Sequence, residues 1–137
     1  MNERTKEYYK KLIYRVNGAA IEVHKELGPG LLESVYEKCL KLELEEWNIK
    51  YSCQLIVPVI YKGAPVETDL KCDLFIENSL VVELKTVERI LPIHEAQILT
   101  YMRLLNTPIV LLLNFNCTNL YREGQKTYVN ELYRNLL

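Results

Sequence analysis

Two acids and a lysine lie on two otherwise apolar segments that flank a polar turn in the middle of the chain. The segment from Asp73 to Lys85 reads DLFIENSLVVELK, and Glu83 precedes Lys85 by two positions. Alternate residues of a β-strand point to the same face of its sheet, so Glu83 and Lys85 share a face. Carboxylates brought close together repel each other unless a cation lies between them. Lysine offsets part of that charge, and a Mg²⁺ or Mn²⁺ ion, which prefers oxygen ligands, offsets more.

The loop between the two strands decides whether the acids meet. If it is the three-residue segment Glu77–Ser79, Ile76 pairs with Leu80 and Asp73 lies opposite Glu83. A two-residue loop would place the acids on different faces. A cross-strand salt bridge among solvent-facing charges is the alternative to a metal site. A crossover connection after the second strand argues against that alternative, because it tends to bury both faces of a sheet, where charges need partners.

The N-terminal half predicts two helices. The first extends from about Lys6 to Leu27, because its apolar residues recur at spacings of three and four, and Gly28-Pro29-Gly30 ends it. The second extends from about Leu31 to Trp47. Glu33 lies one turn before the apolar row of this helix, which predicts that its side chain faces the core side. The alternative is that Glu33 compensates the helix dipole in the first turn.

The middle and C-terminal parts predict strands that alternate with a helix. The predicted strands are Tyr51–Tyr61, Asp69–Ile76, Leu80–Thr86, Ile109–Phe115 and Lys126–Val129. Pro58 limits the first of them to a sheet edge or a bulge, and Lys62–Pro65 is predicted as a turn. A helix over Ile93–Leu105 separates two strands, so a right-handed crossover with parallel strands is expected.

Polar residues on this last helix follow a single face. Gln97 and Tyr101 are four positions apart, and His94 precedes Gln97 by three. A Gln–Tyr pair on a helix that covers a sheet is ordinarily a core contact with a polar tip. Beside a metal site, the same pair can hold a phosphate or a base. His94 is either a capping or surface residue near the helix start or a member of that face.

The composition of the chain limits the classes of function that it can have. The chain has 137 residues, 49% of them hydrophobic and 26% charged, which predicts one domain spanning residues 1–137. It contains no apolar run of the roughly 20 residues that a membrane span needs, and the charged N-terminus MNERTKEYYKK lacks a signal core. Four dispersed cysteines predict a reducing, cytoplasmic setting. A net charge of −1 makes tight sequence-independent DNA binding doubtful, although a bound metal would bring its own positive charge.

A basic stripe on the first helix has two interpretations. It consists of Lys6, Lys10, Lys11 and Arg15. Charge runs of this kind usually form a solvated face, and the less favoured interpretation is a patch that contacts phosphates.

Four motifs resemble those of one nuclease superfamily. Asp73 followed by Glu83-Leu84-Lys85 resembles the D…(D/E)-x-K signature of the PD-(D/E)XK nucleases, with Cys72 in place of its leading proline. The segment from Gly30 to Tyr36 matches the motif of the GxxExxY family, and the segment from Gln97 to Tyr101 resembles the Q-x-x-x-Y motif of RecB-like nucleases. The chain also resembles the GxxExxY family in the segments ELKTVERILPIHEAQILTY and LLLNF. The similarity covers about residues 10–130.

The resemblance implies a fold, an activity and a set of site residues. The fold would be α/β, a restriction-endonuclease-like mixed sheet flanked by helices on both faces. The activity would be hydrolysis of phosphodiester bonds in DNA or RNA with Mg²⁺ or Mn²⁺. The implied metal ligands are Asp73, Glu83, the Leu84 carbonyl and Glu33; Lys85 would orient water or neutralise charge, and Gln97 and Tyr101 would position the strand.

Two other functions stay open. The same fold could be a catalytically silent module that binds nucleic acid or a protein, or a phosphodiesterase for small nucleotides. Because the chain carries no added DNA-reading module, substrate choice would come from loops, from a homodimer or from a protein partner.

Overall fold

Two helices form the N-terminal part of the protein. The computed structural model describes residues 4–137; the first three residues of the charged N-terminal stretch lie outside this range. Helix α1 extends over Lys6–Leu27, as predicted, and the Thr5 side chain caps it by accepting a hydrogen bond from the Tyr8 N–H. Gly28, at a φ of 69°, ends the helix. Helix α2 extends over Glu33–Glu46, which is shorter than predicted at both ends.

A five-stranded mixed sheet forms the centre of the fold. In chain order the strands are β1 (Tyr51–Ile56), β2 (Val59–Tyr61), β3 (Ala64–Val66), β4 (Lys71–Ile76), β5 (Leu80–Lys85), β6 (Ile109–Asn114) and β7 (Gln125–Val129). The main sheet has the order β1-β4-β5-β6-β7, and β2 and β3 form a separate hairpin. Helix α3 (Pro92–Leu105) connects β5 to β6, and these two strands are parallel, as the crossover predicted. A π-helical turn (Leu120–Gly124) precedes β7, and a short helix α4 (Glu131–Arg134) follows it.

The segment around Pro58 differs from the sequence prediction. One strand over Tyr51–Tyr61 is wrong, because the pairing of β1 with β4 stops at Ile56 and a new hairpin begins at Val59. Strand β1 does lie at the sheet edge, where a proline without an N–H is tolerated. The turn is Lys62–Gly63 alone, since Ala64 and Pro65 belong to β3.

Helices cover both faces of the main sheet. On one face, α1 and α2 contribute buried residues such as Val16, Tyr36 and Leu40 to the larger core cluster, which includes Leu74 and Leu84 of the sheet. On the other face, α3 packs through its buried residues Ile98, Tyr101 and Met102. This arrangement confirms the predicted α/β fold, a mixed sheet flanked by helices on both faces. Within residues 4–137, no helix combines the length and apolar character required to cross a membrane.

The hairpin of β4 and β5 has the register that the three-residue loop predicts. Ile76 pairs with Leu80, and Leu74 pairs with Val82. The turn residues Glu77 and Asn78 both have a φ of 52°, and the Ser79 N–H donates to the Ile76 carbonyl at 2.9 Å. The hairpin therefore extends from a tight turn toward Asp73 and Glu83 at its other end.

Candidate active site

Asp73 and Glu83 lie side by side where the pairing of β4 with β5 ends. The Asp73 N–H donates to Oε1 of Glu83 at 3.0 Å, and the Leu84 N–H donates to Oδ2 of Asp73 at 2.8 Å. At this end of the hairpin, carboxylate oxygens thus accept the main-chain N–H groups in place of the carbonyl oxygens of a regular β-ladder. These contacts engage one oxygen of each side chain and fix both acids relative to the sheet.

Burial sets the electrostatics of this pair. Glu83 is 6% exposed, which contradicts the alternative of charges on a solvated sheet face. Loss of water contacts is the main reason that the pKa of Glu83 rises to about 7, and the negative charge of Asp73 adds to it. The pKa of Asp73 is also raised, chiefly by burial, although the hydrogen bond from the Leu84 N–H lowers it. The buried Glu83 and the half-buried Asp73 form a pair whose charge is incompletely compensated by protein groups.

Lys85 is half-buried at the end of β5, close enough to influence both acids. Its positive charge lowers the pKa of Asp73 and of Glu83. In the parallel ladder, Lys85 pairs with Asn114 of β6. The buried Asn114 amide accepts from the Val87 N–H at 3.1 Å and donates to the Val87 carbonyl at 3.0 Å. This clamp holds the chain just beyond Lys85.

Asn114 was missed in the sequence analysis. The signal was present in LLLNF, where a single polar residue closes an apolar strand. A buried amide requires hydrogen-bond partners, so such a residue indicates a structural clamp or a site.

Glu33 lies near the acids but not on the core side of its helix. It is the first residue of α2 and is exposed, so the prediction that it faces the core is wrong. The reason is that the apolar row of α2 begins one turn later, at Tyr36. Partial desolvation raises the pKa of Glu33; the charge of Asp73 raises it further, and Lys85 lowers it. Glu33 therefore belongs to the same electrostatic neighbourhood.

The spacing of Gly30, Glu33 and Tyr36 has a structural explanation. Gly30 has a φ of 100°, a conformation that favours glycine. The Tyr36 hydroxyl donates to the Gly28 carbonyl and accepts from the Leu31 N–H at 3.2 Å. The Tyr36 ring also stacks on Phe115, with ring centroids 4.6 Å apart. The glycine and the tyrosine thus fix the loop that sets Glu33 at the start of α2.

Glu37 is a further acid near the site that the sequence analysis did not single out. Its negative charge raises the pKa of Asp73, and this effect is larger than the opposing effect of the Lys85 charge. Lys41 forms an ion pair with Glu37 at 3.5 Å. Glu37 follows Glu33 by four residues, so the helical period already placed both acids on one face of α2.

Helix α3 brings Gln97 and Tyr101 toward the acids from the opposite side. The Gln97 side chain donates to the Tyr101 hydroxyl at 3.1 Å. The pKa of Tyr101 is raised, mainly by burial, and the charge of Glu83 contributes. Both residues line an open groove of about 490 Å³ along α3, together with His94 and three neighbours. Glu33, Asp73 and Glu83 are not among the residues that line this groove, so the opening of Glu33 and Gln97 onto one pocket at the acids stays a prediction.

A divalent cation fits the Asp73–Glu83 pair by the chemistry of its oxygens. Within the described residues 4–137, no three His, Cys, Asp or Glu side chains form a group placed to hold a metal ion. The predicted set of three carboxylates is thus not assembled around one point. Two adjacent carboxylates with raised pKa values nevertheless supply hard oxygen donors and an incompletely compensated negative charge, which suits Mg²⁺ or Mn²⁺.

The fold, with two carboxylates at one end of a β-hairpin, is consistent with a restriction-endonuclease-like α/β protein. A sequence model of the PD-(D/E)XK nuclease superfamily matches residues 10–127. The chain therefore belongs to the PD-(D/E)XK nuclease superfamily. Neither a curated protein nor a solved structure shows significant similarity to the chain. Membership supports a nuclease at the level of the superfamily, whose members generally use divalent metal ions and act on nucleic acids.

Proposed function

We propose that the protein is a divalent-metal-dependent nuclease that hydrolyses phosphodiester bonds of DNA or RNA, and that it belongs to the GxxExxY group. The observation that carries the proposal is the pairing of half-buried Asp73 with buried Glu83, with the pKa of Glu83 raised to about 7 and Lys85 close by. A buried pair of acids is costly for a protein that has no cation to place between them. Superfamily membership over residues 10–127 supports the same reaction.

Asp73, Glu83 and the Leu84 carbonyl would hold the metal. The N–H and C=O of one strand residue point toward the same neighbouring strand. Since the Leu84 N–H points to Asp73, the Leu84 carbonyl lies on that side as well. Glu33 would act through a water molecule, because it is exposed at the helix start. The bound ion, Mg²⁺ or Mn²⁺, would supply Lewis-acid stabilisation of phosphate charge and a water of lowered pKa.

The remaining residues would orient the reactants. The Lys85 ammonium would hold the attacking water or neutralise charge that develops on the phosphate. Gln97 donates to the Tyr101 hydroxyl, which leaves the hydroxyl proton of Tyr101 free to bind a phosphate or base. These two side chains would position the nucleic-acid strand beside the acids.

A cleavage assay tests the proposal. Purified protein is incubated with single- and double-stranded DNA and RNA in Mg²⁺, Mn²⁺ or EDTA. We expect metal-dependent cutting that falls at least about 100-fold in Lys85→Ala, since positioned groups that stabilise transition-state charge contribute on that order. Lys38→Ala, which removes an exposed lysine of α2, serves as the matched control and should cut normally.

The other two functions give different results in the same assay. Retention of nucleic acid without cutting in any metal would favour a silent binding module. Turnover of dinucleotides with no action on polymers would favour a small-nucleotide phosphodiesterase. Cutting that persists in EDTA, or in Lys85→Ala at the wild-type rate, would contradict the proposed mechanism.

We also propose a reducing, cytoplasmic setting and a homodimer or protein partner that supplies specificity. The four cysteines are free thiols in the structure, which suits a reducing compartment. The net charge of −1 gives the chain little general attraction for phosphates, so a second copy or a partner would add the missing contacts. Light scattering of the purified protein, with and without an oligonucleotide, tests the dimer.

A further inference from the structure

His94 is held in a defined tautomer at the edge of the groove along α3. The Leu91 N–H donates to Nδ1 of His94 at 2.9 Å. A nitrogen that accepts a hydrogen bond carries no proton, so the ring proton lies on Nε2. Among the hydrogen bonds within residues 4–137, this Nδ1 contact is the one that the His94 ring makes. Nε2 is therefore an N–H donor with no protein acceptor on the groove side.

Polar side chains line the groove from His94 to Tyr101. His94, Gln97 and Tyr101 occupy one face of α3 at spacings of three and four, and all three line the groove. Tyr101 is close enough to the site for the charge of Glu83 to raise its pKa. A row of three polar side chains thus follows α3 from His94 to Tyr101, and Tyr101 is the member of the row that the charge of Glu83 reaches.

The neighbouring acid on α3 is turned away from this row. Glu95 accepts hydrogen bonds from the Lys126 ammonium at 2.7 Å and from the Tyr128 hydroxyl, both on β7. Its negative charge is compensated there. No carboxylate lines the groove itself, whose six lining residues are Ile93, His94, Ala96, Gln97, Thr100 and Tyr101.

We infer that His94 is a positioning residue, whose Nε2–H donates to a phosphate of a nucleic-acid strand lying in the α3 groove, away from the scissile bond. The inference rests on the proposed function for its substrate class. A donor N–H, the amide of Gln97 and the hydroxyl of Tyr101 form a track suited to an anionic, hydrogen-bond-accepting backbone. The groove, at about 490 Å³, is open enough to admit a strand laid along the helix.

Two substitutions at His94 separate its role in the helix cap from its role as a donor. Glutamine and glutamate are both favoured at the third helical position, where the side chain accepts from the N-cap N–H. His94→Gln keeps that cap and offers an amide N–H to the groove. His94→Glu keeps the cap but presents a carboxylate. Leu99→Glu adds the same charge to α3 at an exposed position outside the groove.

The experiment measures binding and cleavage separately. Fluorescence anisotropy gives the Kd for a labelled single-stranded oligonucleotide in EDTA, where metal-dependent cutting cannot occur, and KM and kcat are measured in Mg²⁺. We expect His94→Glu to weaken binding and raise KM at least about tenfold with kcat little changed, because a non-scissile contact contributes mostly to binding. His94→Gln should stay within about threefold of the wild type, and Leu99→Glu should do the same.

The outcomes distinguish this inference from the proposed function. Equal Kd values for His94→Gln and His94→Glu, or an equal loss in Leu99→Glu and His94→Glu, would overturn the inference even if cutting is observed. An absence of oligonucleotide binding by the wild type would also overturn it. The expected order of Kd values without any cutting would uphold the role of His94 and remove the nuclease proposal. Thermal midpoints of the variants should match the wild type. If His94→Glu does not fold, His94→Asp, which keeps an acceptor for the cap and a carboxylate, takes its place.

Discussion

The two ends of the β4–β5 hairpin show opposite uses of the same strands. At the turn end, Ile76 pairs with Leu80 and Leu74 pairs with Val82, and all four side chains are 0% exposed. At the far end, Asp73 and Glu83 accept main-chain N–H groups in place of ladder bonds. The turn end contributes apolar burial to the core, whereas the far end places carboxyl groups in a desolvated position.

Stability and chemistry are divided between the two ends of this hairpin. Burial of apolar side chains at the turn end favours folding by roughly 25 cal/mol for each Å² removed from water. Burial of Glu83 raises its pKa to about 7 and so disfavours its charged form. Apolar burial at the turn end therefore keeps Asp73 and Glu83 in place, although holding these two acids together without a cation is unfavourable.

The largest expected effect comes from the turn end. Leu74→Ala should reduce the free energy of unfolding by about 2–5 kcal/mol, because it removes a fully buried side chain and leaves a cavity. Urea denaturation measures the loss. Leu42→Ala is the matched control, since Leu42 is 66% exposed on α2 and its truncation should change little. A loss below about 1 kcal/mol at Leu74 would show that this end is not the stabilising part of the hairpin.

At the far end of the hairpin, substitution of Glu83 should raise the free energy of unfolding, in contrast to Leu74→Ala. In EDTA at pH 8, Glu83→Gln should raise the free energy of unfolding by about 3 kcal/mol, since each pKa unit between about 4.5 and about 7 corresponds to roughly 1.4 kcal/mol. Glu46→Gln, at an exposed site on α2, should have no effect. Destabilisation by Glu83→Gln would mean that the charged form is favoured in the fold.

The pH dependence of the metal-free protein sharpens this contrast. Glu83 loses its proton near pH 4.5 in the unfolded chain and near pH 7 in the folded protein, so between these values the folded state binds more protons. The contribution of Glu83 to stability therefore falls as pH rises from about 4.5 to about 7 and is constant above that range. Unfolding curves of the wild type minus those of Glu83→Gln isolate this contribution. A difference that does not change with pH would contradict the raised pKa.

Metal addition should restore part of that stability. At pH 8, saturating Mg²⁺ or Mn²⁺ should stabilise the wild type by about 1–3 kcal/mol, because an ion that binds the folded state alone shifts the unfolding equilibrium by mass action. The gain should disappear in Asp73→Asn and on chelation with EDTA. Differential scanning fluorimetry provides the measurement, and an equal gain in Asp73→Asn would place the ion elsewhere.

The smallest expected effect lies in the turn itself. Asn78 has a φ of 52°, a left-handed conformation that asparagine and glycine tolerate better than other residues. Asn78→Ala should cost about 1 kcal/mol, whereas Asn78→Gly should change stability by less than about 0.5 kcal/mol. Chemical denaturation distinguishes the two variants. Equal effects would show that the conformation at this position does not limit the turn.

Sequence periodicity and loop length determined the framework of this protein. The three-residue loop Glu77–Ser79 set the register of β4 with β5, and the strand–helix–strand order gave the parallel pairing of β5 with β6. These features follow from local geometry, since a strand alternates its faces and a crossover has one favoured hand. The parallel pairing of β5 with β6 was therefore predictable from the chain alone, and the approach of Asp73 to Glu83 followed from the three-residue form of the loop. The helices on both faces of the sheet were expected from the resemblance to the nuclease superfamily.

Tertiary packing determined the burial and the electrostatic surroundings of the site residues, which local geometry does not fix. It left Glu33 exposed while burying Glu83, brought Glu37 near Asp73, and placed the Asn114 clamp behind Lys85. Which helices and strands contact each other determines burial, desolvation and the hydrogen bonds between distant segments. The neighbours of a residue along the chain do not reveal these contacts. The pattern of residues thus supplied the acids, and the packing of α2 and α3 around one end of a hairpin gave those acids their electrostatic environment.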